Sequence, residues 1–178
     1  MNTKILAYGL YAFSKYSAFS LKDVEEFLAG FMEGLIQQDD LALIEACLTG
    51  AEGLEKEMEV AFEDFSKGTV AGYVAGIQEV GKIVEELPQD LSTCQGMQPD
   101  ITRIETWFKS INMTVVMKNV MKNVVTIEQD VQRLMNDVAA DEMFYSGEDI
   151  ANIMVLALGP VPPTPSQEDP ETLMITQW

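Results

Sequence analysis

The sequence predicts an all-α fold, a single-domain bundle of about seven or eight helices followed by an extended proline-rich C-terminal tail. Three observations predict it. Apolar residues recur at spacings of three and four through most of the chain, which is the period of an amphipathic helix. Glycine, proline and capping residues divide this pattern into segments of helical length. The 178 residues, 47% of them hydrophobic, suffice for one continuous core.

The pattern divides the chain into three parts, namely an apolar N-terminal segment (1–20), a helical domain (21–159) and an extended tail (160–178). The first part resembles a weak signal peptide and equally a docking helix that packs on the domain. No apolar run approaches the ~20 residues that span a bilayer, so no transmembrane segment is expected.

Capping residues and stripes of apolar residues predict the first three helices. Ser20 with Asp23 predicts a capping box before a stripe that ends at Leu35. Asp39 and Asp40 predict the cap of a shorter helix. A third helix is expected from 51 to 66. The expected inward-facing residues of the first and third helices are Val24, Phe27, Leu28, Phe31, Leu35, Leu54, Met58, Ala61, Phe62 and Phe65.

The fourth helix is expected from Thr69 to Leu87, before Pro88. Three glycines within it, Gly72, Gly76 and Gly81, are unfavourable in a helix and therefore predict a close approach of a neighbouring helix. Pro99 and Asp100 begin the next helix, with Ile101, Ile104, Trp107 and Phe108 facing inward.

The longest helix is predicted next, as one continuous central element. Its apolar stripe is Met117, Val120, Met121, Val124, Ile127, Val131, Leu134 and Val138, widened by Val116 and Val125. Asn119 and Asn123 lie one turn apart on it and are expected to be capped or solvated. Ser146 is expected to cap a last, buried core helix that ends at Gly159.

Charge restricts the partners. The chain has 29 acidic and 11 basic residues and a net charge of −18. Nucleic acid is therefore excluded, because its phosphates are bound chiefly by clustered Lys and Arg. The glutamates of the third helix are interpreted as a solvated acidic face, and weak calcium binding is the alternative, although no calcium-loop motif is present. They are Glu52, Glu55, Glu59 and Glu63.

The sequence indicates no catalytic, cofactor-binding or metal-binding residue. Histidine is absent, which removes the commonest general base and zinc ligand. Acidic neighbours such as Asp39 and Asp40 are too common in this chain to indicate an acid–base pair. Cys47 and Cys94 are the two cysteines. They form either one disulfide or two buried thiols.

Two further features depend on the cellular route. Asn112 begins an N-x-T glycosylation sequon, which has meaning only in the secretory pathway. The tail combines a stiff proline strap, an acidic spacer and an apolar end, and is expected to dock on its own domain, on another copy or on another protein. Its candidate assembly residues are Pro160, Pro162, Pro163, Pro165, Leu173, Ile175 and Trp178.

The order of short motifs in residues 24–159 resembles that of a family of small secreted, two-cysteine, all-helical proteins of ciliates. The resemblance implies secretion and a disulfide but no transferable activity. It is carried by Phe27–Gly30, Cys47, Gly72–Gly81, Leu87 with Pro88, Cys94, Asn119 with Asn123, a turn at Tyr145–Gly147 and a helix ending at Gly159.

The leading functional hypothesis is a non-enzymatic secreted structural or interaction protein, located in a secretory granule or at the cell surface. It would self-assemble through its terminal segments as a filament, granule or surface-coat component. The alternative is a carrier of a lipid or other apolar ligand, because eleven methionines could line an adaptable cavity. An enzyme is the third hypothesis.

Overall fold

The computed structural model describes residues 19–50 and 52–163, and in these ranges the fold is all-α, with eight helices and no strand. The N-terminal residues 1–18 and the tail residues Pro165, Leu173, Ile175 and Trp178 lie outside them. The helices are α1 (Leu21–Ile36), α2 (Leu41–Cys47), α3 (Glu52–Ser66), α4 (Val70–Asp90), α5 (Gln98–Lys109), α6 (Met113–Lys122), α7 (Val124–Ala140) and α8 (Met143–Leu158).

Helix α1 begins with the predicted capping box. The Ser20 amide donates to the Asp23 carboxylate at 2.6 Å, and the Asp23 amide donates to the Ser20 hydroxyl at 3.2 Å. These bonds satisfy two backbone donors that a helix start leaves free. The predicted stripe is also confirmed, because Val24, Phe27, Leu28, Phe31 and Leu35 are all buried.

Helices α1 and α8 form the most intimate helix pair in the described part of the chain. They cross where Gly30 faces Gly147. A Cβ atom on Gly30 would overlap the Phe144 carbonyl, and one on Gly147 would overlap the Phe27 carbonyl and lie 2.6 Å from the Phe31 nitrogen. The two backbones therefore touch directly, and neither position has room for a side chain.

The glycines of α4 also permit close packing, as predicted. A Cβ on Gly76 would lie 2.8 Å from the Phe65 ring of α3, and one on Gly81 would overlap the Phe108 ring of α5. Helices α3 and α4 pack together after a break at Gly68, whose φ of 63° lies in the left-handed region. Helix α8 contacts α6 and α7 as well as α1, so it occupies the centre of the bundle.

The structure corrects the prediction of one long central helix. Asn123, with φ −104° and ψ 15°, leaves the helical conformation and separates α6 from α7. Residues on the two sides of this break therefore need not share one buried stripe. Val120, Ile127 and Val131 are buried as expected, but Met117, Met121 and Val125 are 49, 61 and 66% exposed.

Two helix boundaries also differ from expectation. Pro88 lies inside the last turn of α4, which continues to Asp90. Ser146 does not cap α8, because that helix begins at Met143; its hydroxyl instead donates to the Glu142 carbonyl at 3.1 Å. The expected turn at Tyr145–Gly147 is consequently helical. The predicted start was wrong because a serine inside a helix can donate its hydroxyl to a backbone carbonyl of the preceding turn instead of capping the helix.

Cys47 and Cys94 form a disulfide with Cα atoms 5.2 Å apart. It joins the end of α2 to the turn between α4 and α5, where the Thr93 hydroxyl also donates to the Cys47 carbonyl at 3.0 Å. The bond closes a separation of 47 residues. None of the helices in the described ranges combines the length and apolar character required to cross a bilayer.

Replacing Gly147 by alanine should reduce the free energy of unfolding by about 3 kcal/mol, because the added methyl group overlaps the α1 backbone. Urea denaturation measures the change. Gly50→Ala is the matched control, since a Cβ at Gly50 meets nothing within 4 Å. Equal stability of the two variants would contradict the backbone contact between α1 and α8.

The double variant Cys47→Ser/Cys94→Ser should lose about 4 kcal/mol of stability, because the unfolded chain regains the entropy of a 47-residue loop. Urea denaturation again measures it. Reduction of the native chain with dithiothreitol should reproduce the loss, and the reductant should not affect the variant. An unchanged denaturation midpoint in the variant would refute a structural role for this bond.

Candidate functional site

An apolar groove lies on the exposed side of α6. Met113, Met117 and Met121 are 40, 49 and 61% exposed. With Thr114 and Lys118 they line a surface depression of about 460 Å³, which we call the methionine groove. The three methionines are spaced four residues apart, so they follow one side of the helix for about 12 Å at 1.5 Å per residue.

The groove is exposed because α6 buries only a narrow edge. Val116 and Val120 are fully buried where α6 packs on α4 and α8. The methionines lie beside that edge and extend away from the core. Sequence reasoning placed Met117 and Met121 in the core because they continue a stripe of apolar residues, and the period alone does not show how wide a stripe the neighbouring helices cover.

Two asparagines fix α6 against α8. The Asn119 side-chain amide donates to the Ala157 carbonyl at 3.0 Å, and the Asn123 amide donates to the Leu156 carbonyl at 3.2 Å. Both carbonyls belong to the last turn of α8, where helical acceptors are left free. The asparagines were expected to be capped or solvated; they are half-buried and cap another helix. Their spacing of one turn was the available sequence signal.

Asn112 begins α6 next to the groove. Its side-chain oxygen accepts a hydrogen bond from the Thr114 amide at 2.9 Å, as an N-cap does. The residue is exposed. A glycan attaches to the side-chain nitrogen and not to this oxygen, so the cap and the modification are chemically compatible. Glycosylation at Asn112 stays a prediction.

The groove lies in a basic region of an acidic chain. No acidic residue occurs between Ser110 and Ile127, whereas the whole chain carries a net charge of −18. Lys118 and Lys122 are exposed, and neither takes part in the ion pairs found within the described ranges. Lys118 lines the groove, and Lys122 lies one turn further along α6, so an acidic partner at the groove meets these ammonium groups on the same helix.

The tail begins against α5. After Gly159, whose φ is 87°, Val161 is buried and the Arg103 guanidinium donates to the Pro162 carbonyl. Pro160, Pro162 and Pro163 are exposed. The first residues of the predicted strap therefore pack on their own domain.

A second depression, of about 300 Å³, lies among α1, α7 and α8 and was not foreseen from the sequence. Asp149 is buried there, and one of its oxygens accepts from the Arg133 guanidinium at 3.2 Å. Burial raises the pKa of Asp149 to about 7; nearby Arg133 opposes this shift and nearby Asp137 adds to it. Its other oxygen has no hydrogen-bond partner among the described residues.

A second carboxyl group with a strongly raised pKa lies on α3. Burial and the neighbouring carboxylate of Glu86 raise the pKa of Glu57 to about 7.

Within the described ranges, no three or more Asp, Glu, Cys or His side chains are grouped in a way that could hold a metal ion. Calcium binding by the acidic face of α3 stays a prediction.

Comparison with known proteins gives a family match. Residues 10–158 match the model of the SctB-like family, described as Secreted protein B-like. This range contains every described helix. No curated protein and no solved structure matches the chain.

The raised pKa values of Glu57 and Asp149 predict a fold that is more stable in mild acid. Both values, about 7, lie above the ordinary values of 4.5 and 3.8 that apply when the chain unfolds. The folded state therefore holds protons that the unfolded state releases, and this stability is lost as the pH rises through about 7. The thermal midpoint should be several degrees higher at about pH 5.5 than at about pH 8.

The variant Asp149→Asn should raise the midpoint at about pH 8 and reduce its pH dependence, because the amide imitates the neutral acid. Glu59→Gln, at an exposed position of α3, serves as the control and should leave the pH dependence unchanged. Differential scanning calorimetry gives the midpoints. A midpoint that rises with pH over this interval would contradict the assignment.

Proposed function

This chain belongs to the SctB-like family of secreted proteins, and from that premise we propose that it is a non-enzymatic interaction protein that self-assembles through the methionine groove. The proposed assemblies are a filament, a granule matrix or a surface coat. The observation that carries the proposal is the exposed row of Met113, Met117 and Met121 on α6.

Exposed apolar surface of this kind supports an interaction role. A contiguous apolar patch in contact with water is unfavourable, and covering it with another apolar surface releases that water. Methionine side chains are flexible and polarisable, so they adapt to a partner's shape. The three side chains lie on a helix that Asn119 and Asn123 hold against the core, which gives the surface a rigid base.

Charge favours contact at this surface. Copies with a net charge of −18 repel one another over most of their surfaces. Lys118 in the groove and Lys122 one turn further along α6 are basic, so an acidic segment of another copy meets attraction there instead. At about 0.15 M salt the repulsion is screened beyond ~8 Å, so short-range apolar and ionic contacts decide the association.

A carrier of an apolar ligand is the second candidate, and the methionine lining of the groove is the observation that favours it. An acyl chain would compete with a protein partner for the same side chains. Fatty acid that bound to the monomer and raised its thermal midpoint would support the carrier hypothesis.

Static light scattering of the full chain tests self-assembly. We expect a particle mass well above the 19.8 kDa of one chain. The variant Met117→Glu/Met121→Glu should return the mass to that of one chain, because its charges remove the apolar contact. Both side chains are exposed, so its thermal midpoint should stay close to that of the native chain.

The matched control is Leu21→Glu/Leu43→Glu, which makes the same change of charge at two exposed leucines on α1 and α2. It should assemble as the native chain does. A native chain that remains at the mass of one chain at high concentration would refute self-assembly. Equal dissociation of the control variant would refute the assignment of the contact to the groove.

A further inference from the structure

We propose that the groove of one copy binds the last part of the C-terminal tail, residues 166–178, of a second copy. This inference rests on the proposed self-assembly and identifies the part of the partner that fills the groove. It is supported by the order of chemical groups along the tail, by the contacts that the first residues of the tail make, and by the composition of α6.

The tail carries acidic and apolar residues, which complement the two kinds of group in the groove. Glu168, Asp169 and Glu171 form an acidic spacer, and Leu173, Met174, Ile175 and Trp178 follow within seven residues. The groove carries apolar side chains from Met113 to Met121 and the ammonium group of Lys118, and Lys122 lies one turn further along α6. Acidic side chains of the spacer can pair with the lysines while the apolar end covers the methionines.

The length of the tail is sufficient. Leu173 is the tenth residue after Pro163, the last described residue. At the maximum of about 3.3 Å per residue these ten steps reach ~33 Å. The groove needs a segment only about 12 Å long, since it extends over two helical turns. The four apolar residues of the end therefore suffice to cover it.

The start of the tail favours a partner copy over the tail's own domain. Val161 is buried, and the Arg103 guanidinium of α5 donates to the Pro162 carbonyl. The start of the tail is therefore held on its own domain. Four prolines between Gly159 and Ser166 favour a stiff, extended chain that does not easily reverse direction. Docking on another copy does not require a stiff segment of this kind to fold back on the domain from which it starts.

This arrangement also determines the type of assembly. Each copy offers one tail and one groove, which are different surfaces, so the contact is head-to-tail. Such contacts repeat from copy to copy and produce either a closed ring or an open filament. A filament, one of the proposed assemblies, therefore needs only this single kind of contact.

A complementation experiment with full-length chains tests the inference. The groove variant Met117→Glu/Met121→Glu keeps an intact tail, and the tail variant Leu173→Glu/Ile175→Glu keeps an intact groove. Each alone should have the mass of one chain, 19.8 kDa. Their equimolar mixture should double that mass and grow no further, because the intact tail of one fills the intact groove of the other and the remaining ends are both disabled.

Three results would overturn the inference and are distinguishable from one another. A tail variant that assembles like the native chain would show that another part of the second copy fills the groove, and self-assembly would stand. A mixture that stays at 19.8 kDa while the native chain assembles would refute the pairing of tail with groove between copies. A native chain that never exceeds one copy would refute self-assembly and the inference together.

Discussion

The direct contact between the backbones of α1 and α8 is the constraint on which the rest of the fold depends. At Gly30 and Gly147 neither helix has a side chain, so the two axes approach more closely than ordinary side chains allow. Helix α8 is thereby fixed at the centre, and α6 and α7 pack on it. The position of the methionine groove follows, because Asn119 and Asn123 bind α6 to the final carbonyls of α8.

The break at Asn123 determines how much apolar surface remains exposed. After the break, α7 buries Ile127, Val131 and Leu134 in the core. Before the break, α6 buries only Val116 and Val120. The side-chain amide of Asn123 donates to α8, so this residue both interrupts the apolar stripe and holds α6 in place. A regular helix through Asn123 would join α6 and α7 into one continuous stripe.

The sequence predicts the elements of this fold better than it predicts their contacts. The capping box at Ser20 and the buried stripe of α1 follow from spacing and hydrogen-bond chemistry within one turn, which are local properties. The glycines of α4 indicate close packing for a similar reason. By contrast, the exposure of Met117 and the burial of Asp149 depend on which helices lie beside them, and helical periodicity carries no information about neighbours. The groove was therefore missed as a surface, although its residues were recognised as apolar.

The distribution of charge connects the stability of the domain with its proposed assembly. Glu57 and Asp149 lose much of their contact with water in the fold, and this burial disfavours their charged forms. Protonation removes that charge, so the folded state is more stable in mild acid. The surface carries most of the remaining acidic residues, which oppose contact between copies. Helix α6 contains no acidic residue at all. In the proposed assembly, copies whose acidic surfaces repel one another meet along the apolar groove of α6, and the single orientation of that contact is what an ordered head-to-tail assembly requires.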